Sequence, residues 1–337
     1  MSALSRFLAD ERQSGSFPSS VALVGSGEEI LATASAGASP ETIYDLASLT
    51  KVLATAPLAE LAGGAGLDWS RPAGSYLPEF KKTALCDILV EHLATHVSGL
   101  PAWRPLYASR FDPAARVKAL AEVEPEAKPG EKVIYSDLGI LVLGEILTLV
   151  LGEPLDRAFA REVAAPRGAS ARFGPLESSE GVAPTEQGNA FERNLCESMG
   201  IRFAGFRTEL LRGEVHDANA HWLGGVAAHA GLFGTAEDVW RLCRPWLSSG
   251  SPFLRDRTAG FPESRGFFWQ RKRGAGSAVE EFSEESFGHT GFTGTSVWLD
   301  PEKERISVLL TNRVHPRVPA EDFNPVRRRF HETVLDL

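Results

Sequence analysis

Cysteine is scarce. Cys86, Cys196 and Cys243 are the only three in 337 residues, they are widely spaced and none forms a CxxC pair, so neither a disulfide framework nor a thiolate zinc site is expected. They read as packing residues in a reducing compartment. Basic charge is also short: 35 Lys and Arg stand against 44 Asp and Glu, a formal charge of −9. With no window that interleaves basic and aromatic residues, nucleic acid is not expected as a partner. Long apolar runs are missing too. The longest, Gly139 to Gly152, is interrupted by Glu145 and falls short of the roughly 20 residues a membrane span needs, which predicts a buried helix. The first twenty residues carry Arg6, Asp10, Glu11 and Arg12 and no apolar core, so no signal peptide is read and a cytoplasmic location is expected. The GxSxG pentapeptide of α/β-hydrolases is absent.

What is present is ordinary folded-protein composition, 43% hydrophobic and 23% charged with 32 Gly and 21 Pro. Strand patterns occur at Ser20 to Val24, Glu29 to Thr33, Gly266 to Arg271, Thr295 to Leu299 and Arg305 to Thr311, the last two joined by a DPEK turn into a hairpin. Helical spacing is read over Leu4 to Arg12, Asp45 to Leu61 with a kink at Pro57, Ala84 to Thr95, Pro113 to Glu122, Leu138 to Leu151, Leu155 to Val163, Ala236 to Leu247 and Ala320 to Val334. Gly168 to Gly213 reads as a long irregular connection. Strands at both ends with helices between them predict an α+β fold: an antiparallel sheet built from N- and C-terminal strands, with a mainly helical lobe inserted. The expected sheet lobe comprises residues 1–58 and 236–337 and the helical lobe 59–235, with a cleft between them.

Three short constellations can carry chemistry. In Ser48-Leu49-Thr50-Lys51, residues three apart share a helix face, so Lys51 can reach the Ser48 hydroxyl as in a lysine-activated nucleophile. A helix-starting serine beside an exposed lysine would give the same letters. In Tyr135-Ser136-Asp137, a loop tyrosine can shuttle protons if a nearby cation lowers its pKa; otherwise it is a packed tyrosine before an Asp N-cap. In Gly288-His289-Thr290-Gly291-Phe292-Thr293-Gly294-Thr295, the glycines would let a ligand approach the backbone, and His289 and Thr290 supply donors for a carboxylate or carbonyl. A glycine-rich bulge on an edge strand is the alternative.

Taken in order, SxxK, YSD and HTG resemble the motifs of the serine β-lactamase and penicillin-binding-protein superfamily, in the class C β-lactamase-like branch with its D-alanyl-D-alanine carboxypeptidases and carboxylesterases. The stretches DLASLTKVLAT, HLATHVSGLP, PGEKVIYSDLGILVLGEIL and GGVAAHAGLFGTAEDV carry the likeness across most of the chain. The resemblance implies Ser48 as the acylated nucleophile, Lys51 as its activating partner and Tyr135 as the proton shuttle. It also implies an oxyanion hole from the N–H groups of Ser48 and Phe292, after Gly291, with Asp137, His289 and Thr290 holding substrate. The expected function is a serine hydrolase acting through an acyl-enzyme on small esters, amides or D-amino-acid peptides, peptidoglycan fragments among them, without metal or cofactor. A β-lactamase and a non-catalytic penicillin-binding-like sensor are the alternatives.

Two positions depart from that pattern. Asp137 stands where class C enzymes carry Asn, and a carboxylate accepts but cannot donate; beside Lys51 it would favour the ammonium, which weakens the expectation of β-lactam hydrolysis. His289 replaces the usual Lys, so activity on carboxylate-bearing substrates is expected to decline as His289 deprotonates. His92 and His96 lie four apart with no third metal ligand in matching spacing and read as structural. His216, Asp217 and His221 either line the cleft or brace the long connection, and Trp103, Tyr107 and Trp222 are candidates for a substrate wall.

Overall fold

In the computed structural model, which describes every residue except Met1 and Asp336, alternate residues of one short strand enter two different cores. Strand β1 (Ser20–Gly25) sends Val21 and Leu23 into the main core and Ala22 and Val24 into a second one, as the two-residue period of a strand dictates. Burial on both faces explains why β1 reads as a continuous apolar run. The second core packs Leu4, Phe7 and Leu8 of the Ala3–Gln13 helix and Phe330 of the Asn324–Thr333 helix over one face of the sheet. On the other face lies the Ala236–Leu247 helix, whose Val239, Trp240, Leu242 and Trp246 belong to the main core.

The remaining strands are β2 (Ile30–Ala36), β3 (Tyr44–Asp45), β4 (Arg172–Phe173), β5 (Leu232–Gly234), β6 (Gln270–Arg271), β7 (Phe287–Thr290), β8 (Ser296–Asp300) and β9 (Arg305–Thr311). Six form an antiparallel sheet in the order β2-β1-β9-β8-β7-β6, in which β1 from one end of the sequence pairs with β9 from the other. This is the expected α+β architecture, including the β8–β9 hairpin. A second sheet, β3-β5-β4, has no counterpart in the sequence reading, because strands this short leave no periodicity. No single helix among the described residues is long and apolar enough to cross a membrane. The apolar Asp137–Leu151 helix is buried over most of its length.

Several expected elements change in the structure: the helix over Ala320 to Val334 begins only at Asn324, and that over Pro113 to Glu122 opens with a 3₁₀ turn, Pro113–Ala115, ahead of the Arg116–Ala121 helix. Helix over Ala84 to Thr95 shrinks to Val90–Ala94, because the Ile88 carbonyl is taken by the Ala73 N–H (2.7 Å) and is lost to a helix ladder. The Asp45 to Leu61 run contains no break at Pro57: a π turn over Lys51–Thr55, with the Ala56 N–H donating to the Lys51 carbonyl, leads into the Ala56–Gly64 helix and places Pro57 in its first turn, where no N–H is needed. The strand over Gly266 to Arg271 is only Gln270–Arg271, since Phe268 takes a left-handed φ of +66° and its N–H donates to the Ala94 carbonyl. The connection from Gly168 to Gly213 contains β4 and a helix, Ala190–Ser198.

His331 is fully buried against Phe282, Trp298 and Phe330, and neither ring nitrogen has a hydrogen-bond partner among the described residues. Burial, reinforced by Arg327, pulls its pKa down to about 3. The unfolded chain therefore binds this proton below about pH 6.5 and the folded protein does not, so stability falls as pH falls. Between pH 7 and pH 5, wild type should lose about 2 kcal/mol more than His331→Leu, read from urea midpoints. Parallel losses in the two proteins would show that His331 is not a proton sink on unfolding.

Candidate active site

The turn that carries Ser48 is held from several sides. Asp45, at the end of β3, is buried; its Oδ1 accepts from the Ala47 N–H and its Oδ2 from the His216 N–H, both at 2.8 Å. Thr293 Oγ1 donates to the Asp45 carbonyl (2.8 Å), which ties the Ser48 turn to the glycine-rich segment after β7. Ala47 has a left-handed φ of +48°, a conformation that costs on the order of 1 kcal/mol for a side chain with a Cβ. In the sequence Asp45 reads only as the start of a helix.

Lys51 lies one helical turn on and its side chain is fully buried. Its Nζ donates to Ser48 Oγ (2.8 Å) and to the His229 carbonyl (3.0 Å), and pairs with Asp137 Oδ1 at 2.7 Å. Burial opposes the ammonium, but Asp137 and Tyr135 outweigh it and hold the Lys51 pKa above its ordinary value. Asp137 is free for this pairing because Ser136, not Asp137, caps the Asp137–Leu151 helix, its Oγ accepting from the Gly139 N–H.

Tyr135 stands over the lysine, with Lys51 Nζ 5.0 Å from its ring centroid. The His96 ring lies 4.7 Å away, and His96 Nδ1 accepts from the Ser136 N–H (3.0 Å), so this buried histidine orients the Tyr135 loop. Burial raises the Tyr135 pKa despite the opposing pull of Lys51, so the residue is a neutral phenol, and the lowering by a nearby cation on which the sequence reading made proton shuttling conditional does not occur. The Tyr135 hydroxyl has no hydrogen-bond partner of ordinary geometry, and neither do the N–H groups of Ser48 and Phe292 among the described residues.

A cavity of about 710 Å³ opens over these groups. Ser48, Tyr135, Asp137, His289, Thr290, Gly291 and Phe292 all line it, while Lys51 sits behind its wall. Charge at His289 does not survive. The side chain is buried, Nδ1 donates to the Thr290 carbonyl (2.8 Å), and burial, then Lys51 and Arg265, push its pKa well below the usual range. The cation nearest this tyrosine at the cavity wall is instead Arg265, 5.3 Å from the Tyr135 ring, with Nε and Nη1 unpartnered among the described residues although Nη2 pairs with Glu263. No local pattern marks Arg265, which reaches the site from a loop distant in sequence.

The glycines of the third constellation make room for the protein and not for a ligand. A Cβ on Gly291 would lie 2.1 Å from Thr295 Oγ1, and one on Gly288 would lie 2.4 Å from the Val297 carbonyl oxygen. Of the expected aromatic wall only Trp103 lines the cavity. Tyr107 is buried beside Phe203 and Phe206, and Trp222 packs against that cluster. Phe191 and Phe292, both partly exposed, meet at the mouth with centroids 5.2 Å apart. His216 stacks on Phe292 and pairs with Glu186, Asp217 lines the cavity, and His221 stays outside near Glu214. His92 accepts from the Leu89 N–H and is structural.

Asp137, Asp217 and His229 bring ligand atoms within 4.8 Å of one another. Lys51 already supplies a positive charge to Asp137, and His229 Nε2 donates to Asp217 Oδ1 (3.0 Å), so a divalent ion would have to displace both contacts.

A family model described as Beta-lactamase matches residues 4–330. A putative D-alanyl-D-alanine carboxypeptidase of Salmonella agona (strain SL483) is 31% identical over 86% of this chain and 73% of its own length. An N-acetylmuramyl-L-alanine amidase of Bacillus subtilis (strain 168) is 32% identical over 84% of this chain and 71% of its own. Among solved structures, EstCE1, a hydrolase with promiscuous acyltransferase activity, superposes with a TM-score of 0.76 at 19% identity over 98% of this chain and 97% of its own. A penicillin-binding protein homologue from Caulobacter crescentus gives 0.74 at 18% identity over 98% and 95%.

Proposed function

Since the chain belongs to the β-lactamase family of hydrolases, we propose that it cleaves amide or ester bonds through an acyl-enzyme on Ser48, with peptidoglycan-type peptides as its substrate class. The observation that carries this is the Ser48 Oγ held 2.8 Å from a buried Lys51 beneath an accessible cavity, with Tyr135 beside it. The curated relatives named D-alanyl-D-alanine carboxypeptidase and N-acetylmuramyl-L-alanine amidase favour amide bonds of peptidoglycan, within its peptide or where the peptide joins the muramyl group.

The proton path follows from the charges. Ser48 Oγ attacks the carbonyl carbon, and its proton passes to Lys51 as Lys51 yields one to Asp137 Oδ1. Tyr135 gives its phenolic proton to the departing amine or alkoxide. The proton held on Asp137 returns through Lys51 to Tyr135, leaving acyl-Ser48 and a neutral leaving group. Water then attacks the ester with the same groups acting in reverse. The N–H groups of Ser48 and Phe292 face the developing oxyanion, and donors of this kind supply about 3 kcal/mol each.

Intact-mass spectrometry after mixing with a penicillin or an activated ester tests the reading: an acyl adduct should appear on wild type and be absent from Ser48→Ala. No adduct and no turnover of esters, anilides or penicillins by wild type would overturn it. Asp137→Asn removes the partner that keeps Lys51 charged, so burial pulls the lysine below its ordinary 10.5. The variant should be slow near neutrality, with kcat/KM rising about tenfold per pH unit until Lys51 is deprotonated. A profile identical to wild type would remove Asp137 from the proton path. Arg265 supplies the charge for a carboxylate-bearing leaving group, so Arg265→Gln should raise KM for carboxylate-terminated peptides about 30-fold and leave their amides little changed, by ordinary charged hydrogen-bond magnitudes.

A further inference from the structure

The cavity lining between residues 135 and 230 holds Asp137, Glu192 and Asp217 and no lysine or arginine, whereas the segments after residue 264 bring Arg265, Arg313 and Arg327 together with Glu321 and Asp322. Asp137 is matched by Lys51, which leaves Glu192 and Asp217 without a lysine or arginine partner. Glu192 is only 5% exposed; one oxygen accepts from the Ala218 N–H (2.9 Å), and Oε2 makes no hydrogen bond of ordinary geometry although Tyr107 stands close. Asp217 accepts from the Ala220 N–H (2.7 Å) and from His229, whose Nδ1 is also buried without a partner.

We infer that Glu192 and Asp217 form a subsite for a primary ammonium on the acyl portion of the substrate. The inference rests on the reading above: Asp217 brings a ligand atom within 4.8 Å of one on Asp137, which shares Lys51 with Ser48, so this carboxylate lies beside the acyl group that Ser48 would carry. Three observations bear it. Glu192 Oε2, with the Tyr107 hydroxyl close by but no hydrogen bond of ordinary geometry, is a buried carboxylate oxygen held at a cost of about 1–3 kcal/mol, and an ammonium has the three N–H groups to satisfy it. Burial, followed by the negative charge of Asp217, raises the Glu192 pKa to about 7, with His216 and Tyr107 pulling the other way; a cation between the two carboxylates relieves that repulsion. Asp217 itself stays ionised, since His229 and the Ala220 N–H outweigh its burial.

The substrate class is therefore an aminoacyl or diaminoacyl amide, with a free amine near the scissile carbonyl. A fully acylated chain would place an amide N–H, with one donor and no charge, where two carboxylates wait.

The kinetic test compares three p-nitroanilides: D-alanine, Nα-acetyl-D-alanine and Nα-acetyl-D-lysine, with p-nitrophenyl acetate as a neutral reporter of chemistry. At least one ammonium-bearing anilide should exceed the acetyl-alanine anilide in kcat/KM by 30-fold or more. That ratio should fall at least tenfold in Glu192→Gln and in Asp217→Asn, which keep the backbone acceptors that position Ala218 and Ala220. A ratio near one in wild type, or one unchanged in both variants, overturns the inference. Calorimetry on Ser48→Ala with the amides of D-alanine and D-lysine and their fully acetylated counterparts separates it from the hydrolase reading. Binding that favours a free amine at least tenfold upholds the subsite even if wild type shows no turnover, whereas equal binding rejects the subsite even if turnover is rapid. Micromolar binding of Zn²⁺ alone, lost in Asp217→Asn and required for activity, would make these carboxylates metal ligands and overturn the inference as well.

Discussion

Lys51→Met should lower kcat/KM for any amide or ester substrate by a thousandfold or more and leave the folded protein largely intact. The side chain is fully buried and its nitrogen is shared among Ser48, Asp137 and the His229 carbonyl. Methionine keeps the unbranched length and removes every one of those contacts. Proton transfer by a positioned side chain is worth roughly 10²–10⁴ in rate, and this lysine stands between the nucleophile and both other proton carriers, so the loss belongs at the upper end. The effect on stability is expected to be small. Exchanging one partner of a buried ion pair is severe when it strands a charge, but Asp137 keeps 19% of its side chain in solvent and can be hydrated once Lys51 is gone. Single-turnover acylation should show the defect directly, and thermal denaturation should place the variant within a few degrees of wild type. A loss of less than tenfold would take Lys51 out of the proton path.

Gly291→Ala should be nearly as damaging for a different reason. A Cβ there would lie 2.1 Å from Thr295 Oγ1 and 2.8 Å from the Leu46 carbonyl oxygen, so the strand end must move away from the Ser48 turn. The same segment is pinned by the Gly291 N–H on the Thr295 carbonyl (2.7 Å) and by Arg327 Nη2 on the Gly291 carbonyl (2.7 Å). The group displaced is the adjoining Phe292 N–H. Loss of one such donor lowers kcat by about 10²–10³. KM for good substrates should change far less, and the pH profile should keep its shape because no titrating group has moved. A variant with normal kcat would show that Phe292 N–H is not an oxyanion donor.

The parts of the site that were legible in the sequence are those made by neighbours along the chain. Ser48 and Lys51 meet because three residues span one helical turn, and Tyr135 announces itself at the start of an apolar helix with a serine cap. The glycine-rich segment before the hairpin was visible as well, but its meaning was not. Glycine permits close approach of anything, and only the fold reveals that Thr295, Val297 and Trp298 are what approach. Arg265, Glu192, His229 and the bracing role of Asp45 were beyond reach, because each is defined by partners that other segments of the chain bring to it and no local spacing announces them. The charge of His289 was misjudged for the same reason: a histidine's titration is set by its burial and by cations that other segments bring, here Lys51 and Arg265. Helices longer than ten residues were found within a residue or two, whereas the two-residue strands were not.

The pairing of β1 with β9 sets the order in which the molecule can be made. On the ribosome β1 emerges long before β9, one of its two neighbours in the sheet, so the β1–β2 hairpin must wait with an open edge while the intervening helices are translated. Nascent chains arrested before β9 are therefore expected to recruit chaperones and to be protease-sensitive at the hairpin, and synthesis of β9 should close the sheet in a single late step.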